Sequence, residues 1–422
     1  MKYGGNWKSG GPALVLISTV LGMLVSIRSS ARAQTKVLLR AFTRRSEYPN
    51  GSLIRDSQGN LYGTTAGGGL NRCSDTTSCG TVWSLTPNSD GTWTEAVLYN
   101  FHGPDGATPL GGLIRDAQDN FYGTTFGGGN LFCDSTDYGC GTVFKLTPSG
   151  RETVLYRFSG GADGRYPAAA LVRDAQGNLY GTTKEGGDLS CDLTNDGCGT
   201  VFRVEVTPNG TETVLYTFTG GADGGYPVAA LVRDEQGNLY GTTEVGGLYG
   251  QGTVFMLTPT GTETVLYNFS GPDGAAPMGG LIRDAQGNFY GTTEVGGLYG
   301  QGTVFMLTPT GTETVLYTFT GGADGGYPVA ALVRDEQGNL YGTTDVGGNS
   351  PCFPTGGCGT VFKVSPAGIE TVLYAFTGGT DGQNPSGSLI LDSQGNLYGT
   401  TNLGGDLSCN SYGCGTVFEV IP

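Results

Sequence analysis

Six of the eight Asp-Gly steps in the chain recur at one place in a repeating pattern, at Asp105, Asp163, Asp223, Asp273, Asp324 and Asp381. Carboxylates gathered on one face of a molecule can form a rim of oxygen ligands, and calcium is the cation that best suits one. The same dipeptide is also ordinary turn chemistry, because Asp bonds nearby backbone and Gly supplies positive φ. Tyr166, Tyr226 and Tyr327 follow in three of these segments, and Tyr249 and Tyr299 stand in two short loops. Exposed, such rings suit stacking on sugars; packed, they fill the boundaries between structural units. An Arg-Asp pair recurs at Arg55, Arg115, Arg173, Arg233, Arg283 and Arg334, with Leu391 in the seventh place. These arginines can hold an anion or pair with nearby carboxylates. His102 is the only histidine, which argues against a Ser-His-Asp triad and a histidine-rich metal site. Glycoside hydrolysis needs only two carboxyl groups, but no such pair stands apart from the repeating pattern. The catalytic set expected from the sequence is therefore empty.

The ten cysteines fall into five close pairs: Cys73/Cys79, Cys133/Cys140, Cys191/Cys198, Cys352/Cys358 and Cys409/Cys414. Each pair lies between a "YGTT" and a "GTVF" (or "GTVW"). Where that segment shrinks to "EVGGLYGQ", both cysteines vanish together. In an exported chain this reads as five local disulfides, whose main effect is expected to be stiffening of the loops that carry them. The metal-ligand alternative lacks histidines and a second nearby pair.

The elements that must position these residues are repeats. "YGTT" begins at Tyr62, Tyr122, Tyr180, Tyr240, Tyr290, Tyr341 and Tyr398, and a "GTVF" or "GTVW" follows each time. Each unit holds four short runs of strand formers, such as "VAALVRD", "NLYGTT", "GTVFMLT" and "TETVLYNF" in the fourth. "RDEQGN" and "TPTGTE" read as tight hairpins. No helical period follows the first thirty-odd residues. Four antiparallel strands taken seven times predict an all-β, seven-bladed β-propeller. The last unit stops at "GTVFEVIP" and lacks its fourth strand, while "TKVLLRAF" from Thr35 resembles one. Leu38, Arg40 and Phe42 take the slots of Val, Tyr and Phe, so the N-terminal strand is expected to close the ring on the last blade. A solenoid would need distinct end caps.

The units "LIRDAQGNFYGTTEVGGLYGQGTVFMLTPTGTETVLYNF" resemble the GloVer (Gloeo/Verruco) tandem repeat of bacterial proteins, and "D-x-x-G-N-L-Y" resembles the NHL-type propeller pattern. The resemblance covers the chain from residue 34 onward and implies an exported, surface or extracellular repeat protein. It supplies no catalytic residues. Many relatives carry a C-terminal anchoring signal, and the expectation for this chain is that it departs from them in this.

Residues 1–33 read as a signal peptide, with Lys2 and Lys8, a short apolar run and an A-x-A pattern at Ala31 and Ala33. Residues 34–422 then form a single propeller domain with 18 basic and 37 acidic residues, a formal charge of −19. That charge disfavours nucleic acid and anionic lipid. No later run is long enough to span a bilayer. Near-identical blades suit repeated binding better than a unique active site. The sequence therefore points to a secreted or cell-surface monomer that binds an extracellular glycan or protein, with no cofactor unless calcium. The alternative is a secreted propeller hydrolase or lyase acting on carbohydrate.

Overall fold

The computed structural model describes residues 35–73, 78–133, 138–191, 196–207, 210–348, 352 and 356–422. The expected signal peptide lies outside the described residues. Every repeat folds as one four-stranded antiparallel sheet. Blade one, from inner to outer edge, is Ile54–Arg55, Leu61–Thr65, Thr81–Pro87 and Trp93–Asn100. Blades two to six repeat this order. Blade seven takes Ile390–Leu391, Leu397–Thr401 and Thr416–Ile421 from the C-terminal end and Thr35–Ala41 from the other. The chain is a seven-bladed β-propeller closed by its N-terminal strand. Leu38 pairs with Phe418 and Arg40 with Val417, as Val265 and Tyr267 pair in blade four.

The repeated letters have repeated physical jobs. In the "RDSQGNLY" hairpin, Asp56 Oδ1 accepts the backbone N–H of Gln58 and of Asn60. Its Oδ2 accepts from the Asn60 amide and the Tyr62 hydroxyl. The tyrosine-to-aspartate bond recurs in all seven blades. Burial pushes the Asp56 carboxyl up, yet these bonds win and hold it below the usual range. The glycine of "YGTT" faces the aromatic ring of "GTVF": a Cβ on Gly63 would come within 2.5 Å of Trp83, and one on Gly241 within 2.7 Å of Phe255.

Blades are joined by aromatic pairs. The phenylalanine that ends each outer strand meets the ring of the next blade edge-on, as Phe158 meets Phe202 at 5.0 Å. The series Phe42–Trp83 through Phe376–Phe418 runs round the whole ring. Such contacts add ~1 kcal/mol each to the burial of the rings.

Two features differ from a plain reading of the strand pattern. The alternation in "VLYNF" is interrupted by a bulge: Val254 pairs with Tyr267 and Phe255 with Val265, leaving Leu266 over. The same shift occurs in every blade and accommodates the strong twist of an outer strand. The innermost ladder is also short. Only Val232–Arg233 of "VAALVRD" pairs, while Val228, Ala229 and Ala230 run along the central channel. Small residues are required there, since a Cβ on Gly111 would lie 2.5 Å from the Ala169 carbonyl oxygen of the next blade. Thr124 donates to that same oxygen at 2.9 Å. The channel encloses about 110 Å³, and among the described residues no ionisable side chain lines it.

Candidate functional site

The inter-blade segments and the "YGTT"–"GTVF" loops share one face, where short bridges such as Gly225 to Val245 join them. The residue before each inter-blade proline has positive φ, between 51° and 61°: Tyr48, Thr108, Tyr166, Tyr226, Ala276, Tyr327 and Asn384. Side chains rarely adopt this conformation. Here two backbone bonds impose it. Tyr226 N–H donates to Cys198 O at 2.9 Å, and Tyr226 O accepts from Glu244 N–H at 3.1 Å. Each counterpart is clamped in the same way. The carbonyls of Cys79, Cys140, Cys358 and Cys414 accept from Thr108, Tyr166, Asn384 and Tyr48, and those of Gln251 and Gln301 serve in the two blades without cysteines.

All five expected disulfides are formed: Cys73–Cys79, Cys133–Cys140, Cys191–Cys198, Cys352–Cys358 and Cys409–Cys414, and no cysteine is free. Their placement adds a second role to the expected stiffening of the loops that carry them. The second cysteine of each pair, Cys79, Cys140, Cys198, Cys358 or Cys414, is buried in the core between blades and is no part of an exposed binding surface. Cys79 packs with Val82 and Phe101, Cys140 with Val143 and Phe158, and Cys358 with Val361 and Phe376. The reason is position: each stands directly before the glycine of "GTVF", where the chain has already entered the sheet. Each bridge therefore ties the loop to the core and braces the point from which the next blade hangs.

The six Asp-Gly aspartates are turned inward, each onto its own blade-edge tyrosine. Tyr156 donates to Asp163 at 2.9 Å, Tyr216 to Asp223 and Tyr317 to Asp324 at 3.0 Å, and Tyr374 to Asp381 at 2.8 Å. Tyr99 and Tyr267 do the same to Asp105 and Asp273. Backbone N–H groups of the turn complete the set, as from Ser159, Thr219 and Thr320. Among the described residues the only group of three ligand-type side chains close enough to share an ion is Glu47, Cys409 and Cys414, and the two cysteines are bonded to each other. The six carboxylates do not converge on one another.

The tyrosines divide into two sets. Tyr166, Tyr226 and Tyr327 are half-buried, each directly before the proline that leads into a channel-lining run. Tyr166 stacks on Phe126 with centroids 4.6 Å apart, under the Arg165 guanidinium. Tyr226 lies beneath Lys184. Tyr249 and Tyr299 sit on loop tips, 57% and 56% exposed, and beside them Leu248 and Leu298 are 70% and 77% exposed. Leu70 and Phe132 stand on the equivalent loops of blades one and two, 79% and 89% exposed. This face therefore carries apolar tips, on disulfide-tied loops in blades one and two and on short cysteine-free loops in blades four and five. His102 is an exposed residue of the same face and pairs with Asp105.

One arc of this face breaks the symmetry. The residue after "YGTT" is Ala66, Phe126, Lys184, Glu244, Glu294, Asp345 and Asn402 in turn. Burial pushes the Glu294 carboxyl up, and the charges of Glu244 and Asp345 push it further. Burial also raises Asp345, against a bond from Asn384. Lys184 Nζ stands 3.9 Å from Glu244 at one end of the arc. Glu294 thus feels a carboxylate from the blade on either side. The signal for these residues was a variable position directly after the most constant motif.

The fold is shared with solved propellers. The chain is similar to virginiamycin B lyase from Staphylococcus aureus, with a TM-score of 0.57 and 13% identity over 92% of this chain and 99% of that one. It is also similar to a fungal alcohol oxidase of the AA5 family solved with copper, with a TM-score of 0.53 and 16% identity over 93% of this chain and 77% of that one. At these identities the likeness is one of fold. No curated protein matches the chain in sequence. The Gloeobacter/Verrucomicrobia repeat, in contrast, matches residues 17–194 and 134–355. With that match, the seven blades and the motifs that build them, the chain belongs to the Gloeobacter/Verrucomicrobia repeat family.

Proposed function

We propose that this propeller is a secreted, non-catalytic binding module that holds a glycan or protein ligand at the cell surface or outside. The observation that carries the reading is the set of apolar loop tips on one face, led by Tyr249, Tyr299, Leu248 and Leu298. Exposed aromatic and aliphatic tips on loops as short as these bind with little ordering entropy. Blades four and five present the same tip twice, which supports multivalent attachment to a repeating ligand. Five disulfides suit an oxidising compartment. A second reading rests on Glu294, whose carboxyl is raised by burial and by the charges of Glu244 and Asp345 from the neighbouring blades, an arrangement that suits acid–base work on carbohydrate.

The test is retention of residues 34–422 on a panel of immobilised polysaccharides and surface proteins, with calcium and with chelator. Selective retention that falls about tenfold in a Tyr249→Ala/Tyr299→Ala double variant is expected, as loss of ~1.4 kcal/mol of stacking implies. Dependence on calcium would return the Asp-Gly loops to the binding account. Saturable turnover of any panel member, lost in Glu294→Gln, would replace the binding module with a secreted hydrolase or lyase.

A further inference from the structure

Six blades end their innermost strand in arginine, and the seventh ends it in Leu391. In five of the six the guanidinium lies over the glycine of its own hairpin. Nη2 of Arg55, Arg173, Arg233, Arg283 and Arg334 stands 2.9–3.4 Å from the place a Cβ would take on Gly59, Gly177, Gly237, Gly287 and Gly338. In blade two Asp119 replaces the glycine, and Arg115 pairs with it at 2.6 Å. The same guanidinium also meets the preceding blade. Arg55 stands over the Tyr398 ring at 5.3 Å, Arg334 over Tyr290 at 5.6 Å and Arg233 over Tyr180 at 5.8 Å. Arg55 Nη1 also lies 3.6 Å from Asp392.

At the junction of blades six and seven this cation is absent by sequence. Leu391 packs partly against the core beside Tyr341. Nothing lies within 4 Å of the place a Cβ would take on Gly395. A cavity of about 340 Å³ occupies the position, bounded by Arg334, Asp335, Glu336, Leu391, Asp392 and Gly395. Arg334 is already seated over Gly338. Lys363 stands over Tyr341 at 5.8 Å, but from a separate direction: Tyr122 carries both a lysine, Lys145 at 5.6 Å, and an arginine, Arg173 at 5.9 Å. Asp335 therefore keeps its hairpin bonds from Asn339 and Tyr341 but has no guanidinium from the next blade.

We propose that this cavity is a binding site for a guanidinium group, supplied by an arginine side chain of a peptide or by a free alkylguanidinium. The internal copies define the pose: five lay the planar cation over the hairpin glycine, here Gly395, and Arg55 brings its edge to the preceding blade's Asp392, here Asp335. Acidic neighbours and a flat glycine floor suit a planar, weakly hydrated cation better than a compact ammonium. The site lies on the hairpin face, opposite the loops, and stands independently of the function proposed above.

The test is calorimetric titration of residues 34–422 with ethylguanidinium, with acetyl-Gly-Arg-Gly-amide, and with ethylammonium for comparison. Binding of ethylguanidinium in the range of about 1–10 mM, and weaker binding of ethylammonium, is expected for so small a ligand. A tighter peptide marks a protein source, and equal affinities mark a free small molecule. Leu391→Arg fills the cavity with the chain's own cation and should weaken binding at least about tenfold. Gly395→Asp, which copies Asp119 of blade two, should strengthen it about threefold through one added exposed charge pair. No binding at about 50 mM, far above the expected range, or undiminished binding in folded Leu391→Arg, overturns the proposal. Should Leu391→Arg fail to fold, unchanged affinity in Gly395→Asp overturns it.

Discussion

Five junctions between neighbouring blades follow one electrostatic plan, and the two that border the N-terminal strand follow another. At the five, the glutamate that opens an outer strand faces the Tyr–Asp pair of the preceding blade. Glu152, Glu212, Glu263, Glu313 and Glu370 each keep one buried carboxylate oxygen without a hydrogen-bond partner. Burial, and then the facing aspartate, push each of these carboxyls up to about 7. At the closing strand the charges are reversed. Lys36 pairs across from Val420 as Glu212 pairs across from Val204, so it stands in the glutamate's slot. It binds Asp381 at 2.7 Å. Arg40, in the tyrosine's slot, meets Glu95 at 2.6 Å, and Ser46 donates to the same carboxylate. Burial draws the Lys36 ammonium down, so part of the attraction is spent on desolvation, while Asp381 is held low by Lys36 against its own burial.

The difference has a reason in connectivity. Within the array, a hairpin of a few residues delivers each outer strand to its own sheet, and an unfavourable carboxyl contact cannot move it. The N-terminal strand reaches blade seven with no hairpin, so its register must be chosen by its side chains. Opposite charges at both flanks make that choice.

The largest expected effect comes from the closing ring contact. Phe42→Ala should cost about 3–5 kcal/mol in denaturant unfolding, the usual loss for a buried Phe. Unlike Phe218→Ala in the array, it should also speed amide exchange along Thr416–Ile421, the strand it would uncover. Equal exchange in the two variants would mean that the seam is no weaker than any other junction.

A smaller effect tests the charge plan itself. Lys36→Glu turns the sixth junction into a copy of the other five. It should cost about 2 kcal/mol at pH 8, with roughly half recovered at pH 5 where the new carboxyl is protonated. An unchanged stability at both pH values would remove the ion pair from the account of closure.

The smallest effect concerns the five ordinary junctions. A carboxyl ordinarily at 4.5 and raised to about 7 in the fold binds its proton more tightly when folded. Its contribution is therefore fully present below pH 4.5 and is lost as pH rises through 7. Glu313→Gln keeps the shape without the charge. It should stabilise the protein by about 1 kcal/mol at pH 8, after allowance for solvent screening of a partly exposed group, and have little effect at pH 4. A destabilising effect at pH 8 would show that the ionised glutamate is held by a partner.

Much of the architecture was legible because it is local. The "YGTT" and "GTVF" runs are adjacent strands joined by loops, and their spacing counts the blades. The missing fourth strand of the last unit and "TKVLLRAF" at the start together specify closure. Each cysteine pair spans five to seven residues, so pairing followed from proximity in the chain. The burial of Cys79, Cys140 and Cys358 did not, because the phenylalanines that cover them come from the outer strand, some twenty residues on. Contacts between blades were not legible, because they join residues about fifty positions apart at angles that only the ring sets. The Asp-Gly carboxylates had one visible property, their recurrence; that each turns onto a tyrosine of the strand before it depends on the fold of the turn. Leu391 was visible as an exception to the arginines. Only the packing of hairpin against hairpin turned that exception into a cavity, just as only the ring brought Glu294 within reach of the charges of Glu244 and Asp345. Repetition along the chain determined the blades, and closure in three dimensions decided where their sameness fails.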